Sequence, residues 1–294
     1  MLKNRSVCRY WLPLLIFLIL MPVWASGEVY LTGEKPSDWE ERNLLRLTVF
    51  AAGRSDCMLL ECGGESMLVD GGLNGYREKL KNALETRGLT RLKWILNTHP
   101  HDDHVEGILR LLEWGFTCDE LLSPFPENYN DPYQYQQKLV SRLQKAGIPY
   151  HQIADGDQFS LGGATVTVLH NAKGSTANDR SAVLHVRLDR ASVLLTADAP
   201  GETQHYYVDN GYEEFLDVDI LKACHHGITP IVADFLTAAS PELVFVTNFK
   251  NDEISRLTSQ LAYRAIPALY AGQGTIVMET DGTDWYVVQN LKQF

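Results

Sequence analysis

Five of the eight residues in Asn97-Thr98-His99-Pro100-His101-Asp102-Asp103-His104 carry side chains that ligate metal ions, and no other stretch constrains the chain so tightly. The run follows Leu92-Lys93-Trp94-Ile95-Leu96, whose length and apolar content are those of a buried strand, so the ligands fall in a loop at a strand end. Imidazole nitrogens and carboxylate oxygens at this density suit zinc, or manganese where oxygen ligands dominate. One cation cannot use them all. His99 and His101 can share one side of a short loop, while Asp103 and His104, at the start of a following helix, face a second position, which predicts two metals.

Such a site draws on residues elsewhere in the chain. A carboxylate usually bridges two cations held about 3.5–4 Å apart, and Asp198, closing the apolar run Ser192–Asp198, is the candidate. The segment Val218–Cys224 delivers His225-His226-Gly227 to another strand end. At least one of this pair is expected to complete the second metal position, the other being free to contact substrate. Asp70, followed by Gly71-Gly72 at the end of a hairpin strand, is placed to orient the metal loop from behind. Five of the nine histidines lie in these two segments, whereas His151, His170, His185 and His205 are isolated and read as surface or core histidines. Glu106 reads as a solvated helix charge.

The N-terminus has a basic start (Lys3, Arg5, Arg9), then the uncharged stretch Trp11 to Ala25 and small residues at its exit. That is the form of a secretory signal peptide over residues 1–25. Its core, flanked by Pro13 and Pro22, is shorter than the roughly 20 apolar residues of a spanning helix. No stable membrane association is expected after cleavage, an uncleaved anchor being the alternative. Residues 26–42 read as a polar linker, and 43–294 as a single domain. Cys57, Cys62, Cys118 and Cys224 remain in the exported form. Cys57 and Cys62, at odd spacing on one strand, face opposite sides of it, and most of the four are expected to be buried small hydrophobes.

Within 43–294, strands are expected at Leu44–Ala52, Cys57–Cys62, Ser66–Asp70, Ala182–Arg187, Ser192–Asp198 and Val218–Cys224, with helices at Tyr76–Arg87, after His104, and over about 136–146. Strands and helices alternate again from Pro230 to the end. Strand clusters in each half with interleaved helices imply an α/β (α+β) architecture of two stacked sheets covered by helices on the outside.

The spacing His99-x-His101-x-Asp103-His104 resembles the HxHxDH signature of the metallo-β-lactamase superfamily. Further segments are similar to the C-terminal hydrolase domain of the DNA-uptake competence protein ComEC and to secreted phosphorylcholine-esterase-like relatives. They include Gly53-x-x-Asp56, Leu68-Val-Asp-Gly-Gly72, Asn178-Asp-x-Ser181, Leu194-Leu-Thr-Ala-Asp198 and Leu221-Lys-x-x-His-His-Gly227. The resemblance implies a four-layer αβ/βα sandwich with a dinuclear site at one edge. It places His99 and His101 on the first metal, Asp103, His104 and His225 or His226 on the second, and Asp198 between them. Asn178 stands where many members carry a third histidine for the first metal, and is expected to orient water or substrate there.

These readings converge on a secreted hydrolase with two divalent ions, Zn2+ first and Mn2+ as the alternative. Water made nucleophilic by the metals would be oriented by Asp103, with Asn178 and His225 as further catalytic candidates. A phosphodiester or phosphoryl ester is the expected substrate class. The formal net charge of -11 disfavours long nucleic acid. The alternatives are a carboxylic ester or lactone substrate, or a non-catalytic binding or sensor protein retaining the fold; a β-lactam is disfavoured by the missing third histidine.

Overall fold

The computed structural model describes residues 28–31 and 34–291. The signal peptide expected over 1–25 lies outside them. The first half contains strands β1 (Val29–Leu31), β2 (Leu45–Val49), β3 (Cys57–Cys62), β4 (Glu65–Gly71), β5 (Arg91–Leu96), β6 (Thr117–Ser123) and β7 (Tyr150–Gln152). Helices α1 (Arg77–Thr86), α2 (Asp102–Glu113) and α3 (Tyr135–Ala146) interrupt them. The second half runs β8 (Gln158–Leu161), β9 (Ala164–Leu169), β10 (Val183–Leu188), β11 (Ala191–Leu195), α4 (Gly201–Asp209), α5 (Glu213–Leu216), β12 (Ile220–Lys222) and α6 (Ala233–Ala239). It continues with β13 (Leu243–Val246), α7 (Ser255–Tyr263), β14 (Ala268–Tyr270), β15 (Gly274–Thr280) and β16 (Trp285–Leu291).

Two sheets result, ordered β1-β16-β15-β2-β3-β4-β5-β6-β7 and β14-β13-β12-β11-β10-β9-β8. The side-chain period of a strand explains how they stack. Leu45, Leu47, Val49, Met58, Leu60, Met67 and Val69 of the first sheet meet Val166, Val168, Leu184, Val186 and Val193 of the second in one core. Their odd-numbered or even-numbered neighbours face outward into two further cores, where Cys57, Leu59 and Leu68 pack under α1, α2 and α3, and Val183, Leu194 and Leu221 pack under α4 to α7. Strands buried on both faces must be apolar on both, and the expected αβ/βα sandwich is observed. Cys57 and Cys62 accordingly lie in different cores. All four described cysteines are buried and unpaired.

Three segments differ from expectation. The stretch taken as a linker is partly built into the fold: β1 pairs in parallel with β16, and Trp39 is buried, its indole nitrogen donating to Glu279, which also pairs with Lys35 and Arg46. A buried tryptophan and a strand pairing hold a polar segment whose periodicity signals nothing. The runs Ser192–Asp198 and Val218–Cys224 are shorter as strands, ending at Leu195 and Lys222. Beyond Leu195 the chain turns, with Ala197 in the left-handed region at φ 46°, and this turn swings Asp198 off the sheet.

β4 to β7 are parallel, as are β11 to β14. The ligand-bearing loops leave the carboxyl ends of β5, β11 and β12, where open parallel sheets form crevices. α2 is drawn against β4 by a glycine pair. Gly107 N–H donates to the Gly72 carbonyl at 2.9 Å, and a Cβ on Gly107 would sit 1.9 Å from the Gly71 oxygen. Only glycine permits that approach, which fixes the first turn of α2 beside the sheet edge.

Candidate metal centre

His99 leaves β5 fully buried, and its Nε2 lies 3.0 Å from His101 Nδ1 and 3.6 Å from Asp198 Oδ2. Asp103 and His104 occupy the first turn of α2. His104 Nε2 is 3.3 Å from Asp198 Oδ1 and 3.8 Å from Asp103 Oδ1. His226 Nε2 completes the second group, 3.2 Å from Asp103 Oδ2 and 3.3 Å from Asp198 Oδ1. Asp198 therefore presents one oxygen to each half of the cluster. Of the pair left open by the sequence, His226 joins Asp103 and His104. His225, less buried, turns its Nε2 to the other oxygen of Asp198 at 3.6 Å.

Each ligand is held from behind. Asp70 accepts from Asn97 Nδ2, from the Thr98 amide and hydroxyl, and from His104 Nδ1 at 2.8 Å. His226 Nδ1 lies 3.1 Å from Asp56 Oδ1 and 3.0 Å from Thr247 Oγ1. Asp56 in turn pairs with the fully buried Lys222 at 2.9 Å, whose ammonium also donates to the Ala197 and Ala223 carbonyls. Neither Asp56, Lys222 nor Thr247 was given a role from the sequence, although the first two fall within the quoted motifs. A carboxylate at Gly-x-x-Asp and a lysine closing an apolar strand were the available signals.

The backbone is strained where these groups converge. Asp70, Ala197, His225 and His226 all have positive φ, between 46° and 56°. Such residues cost about 1–3 kcal/mol each and cluster at functional sites. Glu106 is not a ligand; it accepts from the Asn74 amide and the Tyr135 hydroxyl. His170 and His185 are buried outside the cluster. The Asn178 carbonyl accepts from Ser181, and its Oδ1 is buried without a partner. The aromatic loop following β6 packs Phe125 against Tyr129.

The fit of a metal pair rests on the donor atoms themselves. His104 Nε2, His226 Nε2 and Asp198 Oδ1 are buried with no hydrogen-bond partner, yet all three face one point, an expensive arrangement unless a cation occupies it. Two ligands at about 2.05 Å from a tetrahedral zinc lie about 3.3 Å apart, which the separations above approach. Charge agrees with geometry. Burial opposes a proton on His226, but Asp198 and Asp56 override it and push its pKa up to about 9. Burial likewise opposes a proton on His104, and Asp198 with Asp70 holds it well above the usual range. Burial pushes Asp103 upward, and the close imidazoles of His226 and His104 override that, bringing it down to about 2. The carboxylates demand positive charge at this point, which divalent cations supply.

A family model described as the metallo-beta-lactamase superfamily matches residues 51–237. The chain belongs to that superfamily and has its metal-dependent hydrolase fold. Among solved structures it is similar to CmlA, a diiron beta-hydroxylase from Streptomyces venezuelae, at TM-score 0.53 and 15% identity, over 88% of this chain and 55% of that one. It also aligns with a putative metal-dependent hydrolase from Parabacteroides distasonis at TM-score 0.46 and 17% identity, over 78% and 94% of the two chains. A metallo-beta-lactamase from Cronobacter sakazakii follows at TM-score 0.40 and 16% identity, over 72% and 92%. At these identities the likeness is one of fold, and the chain spans little more than half the length of CmlA. No curated protein matches the chain.

Proposed function

We propose that this protein is a secreted hydrolase of phosphodiesters or phosphoryl esters that works with two divalent metals, zinc before manganese. The observation that carries the reading is Asp198, whose two carboxylate oxygens face His99 and His225 on one side and His104 and His226 on the other. His99, His101 and Asp198 would hold the first ion, and Asp103, His104, Asp198 and His226 the second. When bound, such ions lower the pKa of water toward neutrality and stabilise developing oxyanion charge. Asp103, about a fifth exposed, would also orient the attacking water through its carboxylate. Burial, with the neighbouring charges of His226 and Lys222, keeps the His225 imidazole below its usual range despite Asp198. Neutral and partly exposed, it can hydrogen-bond a substrate oxygen. Asn178 would orient the substrate from the loop before β10.

Likeness of the motifs to the ComEC branch supports the phosphoester class, and the basic and apolar N-terminus supports export. The acidic surface favours a small substrate over long nucleic acid. The test is a panel of chromogenic phosphodiesters, phosphomonoesters, carboxylic esters and lactones, assayed on the zinc- and manganese-loaded protein. Phosphoester turnover that His101→Ala and Asp198→Ala abolish supports the reading. Lactone or carboxylic ester turnover alone, or equal rates in wild type and variants, sinks it.

A further inference from the structure

We propose that Arg180 is the substrate's anion clamp, its guanidinium forking onto two non-bridging oxygens of a phosphoryl group held at the metal centre; this deepens the phosphoester reading above and rests on it. The side chain lies over two aromatic rings, 5.0 Å from the centroid of Phe125 and 5.4 Å from that of Tyr129. Among the described residues it makes no ion pair, and its Nε is buried without a hydrogen-bond partner. A cation resting on an aromatic pair in this way keeps N–H edges free, the geometry that recognises a pair of anionic oxygens.

The surrounding loop runs beside the metal-binding segment. Ala182, two residues on, donates its amide to the carbonyl of Thr98, the neighbour of His99, at 3.1 Å. Phe125 follows the carboxyl end of β6, beside Asn97, whose amide bonds Leu122 at 2.9 Å. Arg180 and its aromatic rest therefore flank the half of the centre built from His99 and His101. The turn is rigid: Asp179 accepts from Ser175, from both the amide and hydroxyl of Thr176, and from Thr203, and a Cβ on Gly174 would meet Asp179 Cβ at 2.4 Å. This bracing also presents Asn178, whose Oδ1 lacks a partner. An unpaired guanidinium on a braced turn, in a chain of net charge -11, marks where an anion would find compensation.

The test titrates inorganic phosphate calorimetrically into zinc-loaded wild type, Arg180→Gln and Arg180→Lys, after confirming equal metal content and melting temperature. Removing a charge-assisted fork is expected to weaken phosphate binding ~10–100-fold in the Gln variant, with Lys intermediate because it keeps the charge and loses the fork. If Gln fails to fold, the Lys variant carries the comparison. Unchanged affinity in the variants, or no phosphate binding by wild type, overturns the proposal. With bis(p-nitrophenyl) phosphate, Arg180→Gln should raise KM about tenfold or more with little change in kcat. A wild type that cleaves no phosphoester removes the function proposed above, whereas the phosphate titration still decides the role of Arg180.

Discussion

His226 Nδ1 lies 3.1 Å from Asp56 Oδ1, and this contact leaves the opposite ring nitrogen facing Asp103 and Asp198. A carboxylate behind a ligating imidazole fixes its tautomer and orientation, and losing such a partner typically costs 10–100-fold in metal affinity. Asp56→Asn should weaken the tighter chelator-competed zinc step by about that factor. It also strands the Lys222 ammonium, an unpaired buried charge that costs about 3–5 kcal/mol. Adding Lys222→Met should recover most of the stability, measured by urea denaturation, without recovering metal affinity. Recovery of both would show that Asp56 acts on the fold and not on the ligand.

Gly107 packs on the backbone of Gly71, and the first turn of α2, with Asp103 and His104, depends on that approach. Gly107→Ala is expected to destabilise by at least the ~1–3 kcal/mol of ordinary overpacking and to lower metal affinity as α2 moves out. Gly75→Ala, where a Cβ meets nothing within 4 Å, should leave both properties near wild type. Denaturation midpoints and zinc titrations of the two variants check the contrast.

Away from the metal centre, His185 supplies a pH signature. Burial, aided by Arg187, lowers its pKa from 6.5 to about 4. A group harder to protonate when folded binds fewer protons than in the unfolded chain between these values, so stability rises with pH there. The stabilisation is fully present above pH 6.5, and falls by up to about 3 kcal/mol as pH drops through 4. His185→Leu should flatten that part of the stability curve measured from pH 4 to 7; an unchanged slope would contradict the assignment.

The centre was legible where ligands are adjacent in sequence. The run from His99 to His104 and the twin imidazoles at 225 and 226 place themselves, because loops at strand ends carry ligands and little else competes for so many histidines. The apolar strands were legible too, since both faces of each sheet are covered. Three features were not. Choosing between His225 and His226 depends on two successive left-handed residues, a conformation that spacing does not encode. The buried pair of Asp56 and Lys222 joins residues 166 positions apart, and a charged pair that far apart leaves no periodic signature. The N-terminal segment is held by Trp39 and by pairing with β16, a contact between opposite ends of the domain.

The central claim is that Asp198 joins two metal positions, and metal analysis tests it most directly. Wild type, stripped with chelator, reloaded with zinc and desalted, should hold about two ions per chain. His101→Ala should keep the second and hold about one, while Asp198→Ala should hold clearly less than one, since both positions lose a ligand and their shared charge. A wild-type zinc content that survives intact in Asp198→Ala, or a wild type that retains no zinc, would contradict the account.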